Sequence, residues 1–208
     1  MTVDSLERGA WRNYHSQDLS KPLAAALSAF VDQGYHGTSI RNIASRAGLS
    51  VPGLYHHYPS KHALLVGLTN AAMSELLTHS RQALAEAGSS PLDRFNAVVE
   101  SLLRFHMFRR EQAFVASTEI RSMEQASRAV YIAQRDEQQQ MLDHIVLEGV
   151  EQGVFNTLYP ADASRAVTTM CVAVSSWYRA DGPLSPDELV ERYLRIAQSV
   201  VGSKERNA

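Results

Sequence analysis

Residues 38–61 read TSIRNIASRAGLSVPGLYHHYPSK, and the rest of the chain is organised around this stretch. Ser39 precedes apolar residues that fall on one helical face, so it is a natural N-cap, and Gly48 is a natural helix stop. Ser50 is placed to cap a second helix, and Pro52 fits the first turn of that helix, where its missing N–H costs nothing. The spacing predicts two short helices joined by a tight turn, which is a helix-turn-helix.

The outward face of the second helix carries small, aromatic and imidazole groups, which suit a surface pressed into a DNA groove. Its members are Val51, Pro52, Gly53, Tyr55, His56 and His57. No Asp or Glu occurs between Thr38 and His62, whereas the same interval contains Arg41, Arg46 and Lys61. This stretch is therefore basic, as expected of a surface that contacts phosphates.

Charge is distributed unevenly along a chain whose net charge is only −2. Residues 1–66 contain six Lys and Arg against four Asp and Glu, and the remaining residues contain fourteen against eighteen. A general polyanion binder would be more basic overall. The imbalance favours a protein that contacts DNA at one end only. The hydrophobic content of 45%, with only 11 Gly and 7 Pro in 208 residues, predicts a folded and mostly helical protein.

Several other classes of protein are not indicated. A single cysteine, Cys171, excludes an intramolecular disulfide. No apolar run approaches the ~20 residues needed to span a membrane, and no signal-peptide pattern opens the chain. We therefore expect a cytoplasmic protein with no membrane partner.

Enzymatic chemistry is not indicated either. His56 and His57 are adjacent, so they point about 100° apart on a helix and cannot share a metal ion. The chain has no H-E-x-x-H, C-x-x-C or G-x-S-x-G pattern and no glycine-rich phosphate loop. We expect no catalytic residue, no metal and no cofactor.

The motif resembles a known family over Gly34 through Leu64, which read G-Y-x-G-T-S-I-R-N-I-A-x-x-A-G-L-S-x-x-x-L-Y-H-H-Y-P-S-K-x-x-L. This pattern is similar to the DNA-binding domain of the TetR family of bacterial transcriptional regulators. The resemblance implies an all-α homodimer with three N-terminal helices for DNA and a larger C-terminal helical domain for ligand binding and dimerisation. It also implies a repressor that a small-molecule inducer releases from a palindromic operator.

The resemblance further implies roles for individual residues of the motif. The recognition helix, Ser50 to about His57, enters the major groove, and the two copies in a dimer lie roughly 34–36 Å apart. The residues implied to meet phosphates are Thr38, Ser39, Lys61 and the hydroxyl of Tyr55. The residues implied to face base edges are Arg41, Val51, Pro52, Gly53 and His56, and His57 can serve either role.

The remaining pattern predicts about nine helices in three segments. The segments are a mobile N-terminal arm over 1–16, a DNA-binding domain over 17–77 with its helix-turn-helix at about 39–58, and a ligand-binding and dimerisation domain over 78–208. Outside the motif, helices are expected at about 19–33, capped by Ser20, and at 61–87, 91–109, 112–122, 127–153, 160–180 and 186–201. In the arm, Arg8, Arg12 and His15 can reach a DNA minor groove, although a frayed terminus is the alternative.

The last two helices are candidates for a dimer interface. Residues 160–180 are apolar or small nearly all round, and the final helix carries one apolar stripe. Two such helices from each chain can form a four-helix interface over about 160–201, with Val174 on its buried stripe. The alternative is that they only close the core of the monomer.

A second resemblance concerns the ligand. Residues 176–185, S-W-Y-R-x-x-G-P-L-S, are similar to the tail of actinobacterial TetR regulators that sense acyl-CoA thioesters of lipid or sterol catabolism. Guanidinium groups suit phosphates, and the middle helices carry Arg104 and four further candidates. We expect the phosphates near Arg109, Arg110, Arg121 or Arg128. We expect the acyl part near Phe105, Phe108, Met141, Met170 or Trp177.

Two alternatives stay open at this point. The pocket of such a regulator can instead take an uncharged apolar drug or metabolite, in which case the aromatic and methionine residues are ordinary core. Outside the regulators, the runner-up is a helical adaptor that binds proteins through its groove. An adaptor would show no salt-dependent binding to DNA.

Overall fold

The computed structural model describes residues 8–14 and 19–203 of the chain. Within these residues it contains nine α-helices, two short 3-10 helices and no β-strand. The α-helices are α1 Lys21–Gly37, α2 Ile40–Ala47, α3 Val51–His57, α4 Lys61–Glu86, α5 Pro91–Phe108, α6 Arg110–Thr118, α7 Gln125–Glu151, α8 Pro160–Trp177 and α9 Pro186–Val200. The 3-10 helices are Ala10–Arg12 and Ile120–Ser122. The prediction of an all-α fold with about nine helices is confirmed.

Two helices differ from the sequence prediction. Helix α1 continues past the expected end at residue 33, because the chain breaks at Gly34 (φ 68°, ψ 166°) and then adds a further turn. The predicted helix over 112–122 is divided, since α6 ends at Thr118 and a 3-10 helix follows. Ser20 is the N-cap residue of α1 as predicted, but its side chain accepts no hydrogen bond from the start of the helix.

The described residues group into two compact units, and two long helices, α4 and α7, supply residues to both. The helix-turn-helix unit comprises His15–Glu75 and Arg109–Gln134. The C-terminal unit comprises Met1–Tyr14, Leu76–Phe108 and Arg135–Ala208.

Helix α5 is the centre of the C-terminal unit and packs against α8 and α9. Apolar residues recur on α5 every three or four positions, so they form one continuous buried face. Its fully buried members include Phe95, Val98, Val99, Leu102 and Leu103. Near the end of α7, the buried Phe155 ring packs directly on Gly149. A Cβ at this position would lie 2.1 Å from Cδ2 of the ring, so only glycine fits there.

The described part of the predicted N-terminal arm packs on the C-terminal unit. The Trp11 side chain is only 2% exposed and packs with Ala83 and Ala97. Trp11 Nε1 donates to Glu86 Oε2 at 3.2 Å, and the Gly9 N–H donates to the same oxygen at 2.7 Å. The prediction of a mobile arm is therefore wrong for residues 9–13, because a large indole finds a buried site. Residues 1–7 and 15–18, including His15, lie outside the described residues.

Arg12 joins an ion-pair network instead of remaining available to DNA. Its Nε and Nη2 atoms donate to the two carboxylate oxygens of Glu100 at 2.7 and 2.9 Å. Arg104 donates to Glu100 Oε1 at 2.8 Å and to Asp187 Oδ1 at 2.6 Å. The network thus connects the N-terminal segment, α5 and the first turn of α9.

Glu100 is the centre of this network, and its side chain is only 12% exposed. Burial alone would raise the pKa of Glu100, but the hydrogen bonds and charges of Arg12 and Arg104 together outweigh burial and hold that pKa below its usual value. Burial would likewise lower the pKa of Arg104, but Asp187 and Glu100 raise it above its usual value. The structure therefore stabilises the charged form of each partner.

The outward faces of α8 and α9 expose large apolar side chains in the described chain. Val172, Trp177, Ile196 and Val200 are 38%, 46%, 48% and 39% exposed. Val174, in contrast, is completely buried within the protomer, so it belongs to the core and not to an outward stripe. Its assignment to the buried stripe of an interface between chains is wrong.

We predict that Glu100→Gln lowers the midpoint of thermal unfolding near neutral pH, because a neutral amide cannot hold two guanidinium groups. Since the pKa of Glu100 is lower in the folded state, this stabilisation is present above the unfolded pKa of about 4.5 and is lost as pH falls through the folded pKa. The difference between variant and wild type should therefore narrow in acid. Circular-dichroism melts across this range provide the measurement.

The matched control is Glu191→Gln. Glu191 also pairs with an arginine, Arg195, but their side chains are 65% and 77% exposed, so solvent screens the pair. We expect little change in its melting midpoint. Equal effects of the two substitutions, or a Glu100→Gln difference that widens in acid, would contradict the assignment.

Candidate nucleic-acid interface and ligand-binding residues

Local hydrogen bonds fix the turn between α2 and α3. Ser39 Oγ accepts from the Asn42 N–H at 3.1 Å, and Ser50 Oγ accepts from the Gly53 N–H at 3.1 Å, so both predicted N-caps are confirmed. Gly48 adopts the left-handed conformation at φ 67°, and its N–H donates to Ser45 O at 3.1 Å. A residue with a Cβ would be strained at this position.

A small apolar core holds the two helices in place. Ile43 and Leu54 are completely buried, and Phe30 of α1 is 1% exposed. The opposite side of the motif faces outward. Of the predicted DNA-binding residues, the exposed ones are Ser39, Arg41, Ser50, Pro52, Tyr55, His56 and His57, and the half-buried ones are Val51, Gly53 and Lys61.

Thr38 does not belong to this exposed group. Its side chain is 3% exposed, and its Oγ1 lies 2.7 Å from Gly34 O and 3.0 Å from Ala29 O, to one of which the hydroxyl donates. The hydroxyl therefore pairs with the backbone at the break in α1. The prediction that Thr38 meets a phosphate is wrong for its side chain, because that side chain is turned into the unit.

Lys61 also contacts the end of α1. Its Nζ donates to Tyr35 O at 2.6 Å and to Thr38 O at 2.8 Å, and it lies 4.3 Å from the centre of the Tyr35 ring. Burial lowers the pKa of Lys61, and the nearby charge of Glu119 opposes that shift. Two of the three ammonium hydrogens are thus committed, and one remains for another acceptor.

Residues after α6 complete the surroundings of this break. Glu119 Oε1 accepts from the Tyr35 N–H at 3.2 Å, and Ser122 Oγ lies 3.2 Å from His36 Nε2. The Glu124 N–H donates to His62 Nε2 at 3.2 Å, which leaves the ring proton on Nδ1, 3.6 Å from the Glu124 carboxylate. These contacts between distant segments were not predicted, and no local sequence pattern marks them.

The residues predicted to bind a ligand divide between the two units. Arg109, Arg110, Arg121 and Arg128 fall in the helix-turn-helix unit, whereas Phe105, Phe108, Met141, Met170 and Trp177 fall in the C-terminal unit. Neither unit by itself therefore brings the predicted cations and the predicted apolar residues together.

Arg109 is held by a carboxylate. Its Nε donates to Glu75 Oε2 at 2.9 Å and its Nη2 donates to Glu75 Oε1 at 2.7 Å. Both side chains are largely buried, at 10% and 17% exposure. Arg121 and Arg128 are exposed and have no recorded ion pair within the described part of the chain, and Arg110 is half-buried. The cations thus differ in their availability to a phosphate.

The apolar candidates also differ from one another. Phe105 is 3% exposed and Met141 and Met170 are half-buried. Phe108 is 40% exposed and stacks on Tyr14, with ring centres 5.3 Å apart. The Trp177 ring lies 5.9 Å from that of Tyr193 on the outward side of α8, so Trp177 does not line the interior of its unit.

The interior of the C-terminal unit contains neutral polar groups. Burial lowers the pKa of His106 to about 4, so its ring is neutral near physiological pH. Its Nδ1 lies 2.8 Å from Leu102 O and must donate there, which leaves Nε2 as an acceptor. Burial raises the pKa of the Cys171 thiol. The hydroxyls of Ser80 and Ser101 pair with each other at 3.1 Å.

Two other features, a metal site and a membrane-spanning helix, are absent from the described residues. No group of three or more His, Cys, Asp or Glu residues is placed to hold a metal ion. None of the described helices is long and apolar enough to cross a membrane.

Sequence profiles of known families match both parts of the chain. Residues 23–68 match the profile described as "Bacterial regulatory proteins, tetR family", and residues 88–201 match the profile described as "Tetracyclin repressor-like, C-terminal domain". The chain belongs to the TetR family. It is therefore a transcriptional regulator and not an enzyme, and membership in this DNA-binding family decides against the adaptor hypothesis.

Individual TetR proteins are similar over most of the chain. The transcriptional repressor KstR2 of Mycobacterium tuberculosis is 27% identical over 176 residues, which are 84% of this chain and 86% of that protein. The structure of the TetR-family regulator PfmR from Thermus thermophilus has a TM-score of 0.78 at 30% identity and covers 89% of this chain and 99% of its own. The structure of AibR, solved with isovaleryl coenzyme A and operator DNA, has a TM-score of 0.75 at 20% identity. The match covers 88% of this chain and 97% of the AibR chain, and at this identity it shows similarity of fold alone.

Proposed function

We propose that this TetR-family regulator is a repressor whose dimer binds a near-palindromic operator, with α3 of each copy in successive major grooves. The observation that carries this proposal is the exposed face of α2 and α3, which is free of acids and includes Arg41 and Tyr55. Both helices are fixed by side-chain caps, so the surface needs little ordering when it meets DNA. The relative KstR2 is named a transcriptional repressor, which supports repression over activation for this chain.

We assign two kinds of DNA contact within this surface. Arg41, Val51, Pro52, Gly53 and His56 face base edges, because they lie on α2 and the first turns of α3. Ser39, Ser50 and the hydroxyl of Tyr55 contact phosphates, together with the third hydrogen of the Lys61 ammonium, and His57 can serve either role. Thr38 can contact DNA only through its backbone.

We expect Arg41→Ala to relax the preference for one base pair in each half-site and to cost ~1–3 kcal/mol of specific binding. Lys61→Ala should weaken binding to all sequences alike and reduce the slope of log affinity against log salt by about one. The measurement is fluorescence anisotropy with operator variants at several salt concentrations. Melting curves must accompany Lys61→Ala, since Lys61 also binds two backbone carbonyls.

Arg46→Ala is the matched control for Arg41→Ala. Arg46 lies on the same helix and its substitution removes the same charge, but its guanidinium donates to Asp32 at 2.6 Å, to Ser28 at 2.7 Å and to Asn42 at 3.0 Å. Its loss should leave base preference unchanged. If Arg46→Ala and Arg41→Ala changed the preference equally, the division into base and phosphate contacts would be wrong.

The proposed dimer forms through the outward faces of α8 and α9, within about 160–201. Support comes from the four large apolar side chains that these two helices expose, which an interface between two chains would bury. Two helices from each chain then form a four-helix interface. The proposed ligand-binding and dimerisation domain remains 78–208.

We expect Ile196→Asp to give a folded monomer, because it places a carboxylate at the centre of a buried apolar interface. Val130→Asp is the control, since Val130 is 55% exposed on α7, outside α8 and α9. Sedimentation equilibrium measures the assembly, and circular dichroism checks the fold. A dimer of Ile196→Asp that still binds DNA would remove these faces from the interface. Val174→Asp would not serve, since it would damage the protomer core.

The proposed inducer is an acyl-CoA thioester. The likeness of residues 176–185 to thioester-sensing regulators supports this class, and AibR, which shares the fold, was solved with isovaleryl coenzyme A. Arg121 and Arg128 are the proposed phosphate-binding cations, with Arg110 as a further candidate, because Arg109 is already held by Glu75. Phe105, Met141 and Met170 are the proposed acyl contacts. The neutral interior around His106 favours the alternative, an uncharged apolar ligand.

Matched pairs of thioester and free acid separate these two inducers. An acyl-CoA should release operator DNA at far lower concentration than the free acid of the same chain, because only the thioester carries phosphates for the arginines. Release must also be reciprocal, so operator DNA should weaken thioester binding by the same factor. The measurement is release of labelled operator across an acyl series. Equal release by acids and thioesters would exclude coenzyme A recognition.

A further inference from the structure

Gln138 of α7 carries a buried amide without a partner. Its side chain is 4% exposed, and neither Nε2 nor Oε1 has a hydrogen-bond partner among the described residues. The next residue is different, since Gln139 Nε2 donates to Asp143 Oδ1 at 2.7 Å and to Ser164 Oγ at 3.3 Å. A buried amide that lacks partners costs stability, so such a group calls for a ligand or an ordered water.

Thr168 of α8 shows the same feature. Its Oγ1 is buried and has no partner within the described chain. Threonines in helices usually donate to the carbonyl four residues earlier, as Thr169 does to Arg165 O at 2.8 Å and Thr69 does to Leu65 O at 3.1 Å. The Thr168 hydroxyl is therefore turned away from its own helix and remains available as a donor and as an acceptor.

Both groups lie where α7 meets α8. Ser164 contacts both Gln139 and Asp143, so it joins the two helices at this level. The connection over 152–159 joins the two helices, and Thr168 lies one helical turn after Ser164. Gln138 directly precedes Gln139, and Thr168 lies four residues after Ser164, so both unpartnered groups lie within about one helical turn of this contact, inside the C-terminal unit.

Two ionisable groups of this unit are neutral, and the Asp143 carboxylate is already paired with Gln139 and Ser164. The His106 ring is uncharged, and burial keeps the Cys171 thiol protonated. A primary amide offers hydrogens and a lone pair, so its full complement is a group that both accepts and donates. A hydroxyl or a secondary amide satisfies this requirement. A carboxylate would lose its hydration beside these two uncharged groups, which is unfavourable.

We propose that Gln138 and Thr168 form the polar end of the inducer site and bind an uncharged ligand group that carries both a hydrogen-bond donor and an acceptor. The inference rests on the proposed function, because the ligand is taken to be the inducer. The group can be a hydroxyl on the apolar skeleton or an amide in the arm of a thioester. These residues would also make the site reject a free carboxylate.

The first test needs no ligand. Gln138→Met and Thr168→Val keep the side-chain volume and remove the unpartnered atoms, so both should leave the melting midpoint of the free protein unchanged or raise it. Gln139→Met, which removes two recorded hydrogen bonds, should lower the midpoint. If Gln138→Met lowers it as much as Gln139→Met, the Gln138 amide has a structural partner and the proposal is wrong.

The second test uses defined probes of one chain length. They are decan-1-ol, the N-acetylcysteamine thioester of decanoic acid, decanoyl-CoA and decanoate, titrated against the full-length protein by calorimetry. The alcohol and the thioesters should bind the wild type more tightly than decanoate does. Gln138→Met should weaken a hydrogen-bonding probe about tenfold, the factor expected for one hydrogen bond. Gln140→Met, an exposed neighbour on the same helix, should change nothing.

The pattern of losses identifies the bonded group. A loss confined to decan-1-ol indicates a hydroxyl, and a loss confined to the thioesters indicates the amide of their arm. Unchanged affinities for every probe that binds would overturn the proposal. If no probe binds the wild type, the acyl inducer class of the proposed function fails, while the melting experiment still decides the role of Gln138.

Discussion

The break in α1 at Gly34 is the constraint on which the helix-turn-helix unit depends. A left-handed residue inside a helix interrupts the regular hydrogen bonds, so the backbone groups around it need other partners. Those partners come from three separate segments: the Thr38 hydroxyl at the start of α2, the Lys61 ammonium at the start of α4, and the Glu119 carboxylate after α6. The hydrogen bonds made to the backbone at this one break therefore connect the elements that orient the DNA-binding helices.

The proposed regulation requires that ligand binding and DNA binding be coupled. Helices α4 and α7 supply residues to both units, and the start of each takes part in contacts near the break, through Lys61 on α4 and through Glu124 beside α7. A ligand can shift the helix-turn-helix only by binding one arrangement of these helices better than another.

Local features were predictable from the sequence, and long-range ones were not. Ser39, Gly48 and Ser50 act through neighbours at most a few residues away, so their roles follow from residue type and spacing. Lys61 and Arg109 act through partners 26 and 34 residues away, and nothing in their own segments indicates those partners. Both residues are predicted to contact phosphates, because the sequence does not distinguish an exposed cation from one that is already paired.

The tryptophan of the N-terminal segment is a sequence feature that indicates packing of that segment on the protein. A tryptophan in a short polar stretch exposes a large apolar area unless it packs on the protein, and Trp11 does pack. Burial of the indole also places Arg12 beside Glu100, whereas Arg8 has no ion pair among the described residues. The sequence pattern of charge alone could not separate these two arginines.

Pairing with carboxylates therefore distinguishes the arginines that are already bound from those that are available to another anion. In the helix-turn-helix unit, Arg46 and Arg109 are held by Asp32 and Glu75, which removes them from the surface that can meet a polyanion. Arg41 is exposed on the same helix as Arg46, with no acid near it in the motif. Because an ion pair must be broken before its cation can bind a phosphate, this difference in partners decides which positive charges are available to DNA. In the C-terminal unit the same kind of pairing holds Arg12 and Arg104 on Glu100, whereas the buried His106 ring is neutral and offers hydrogen bonding without charge.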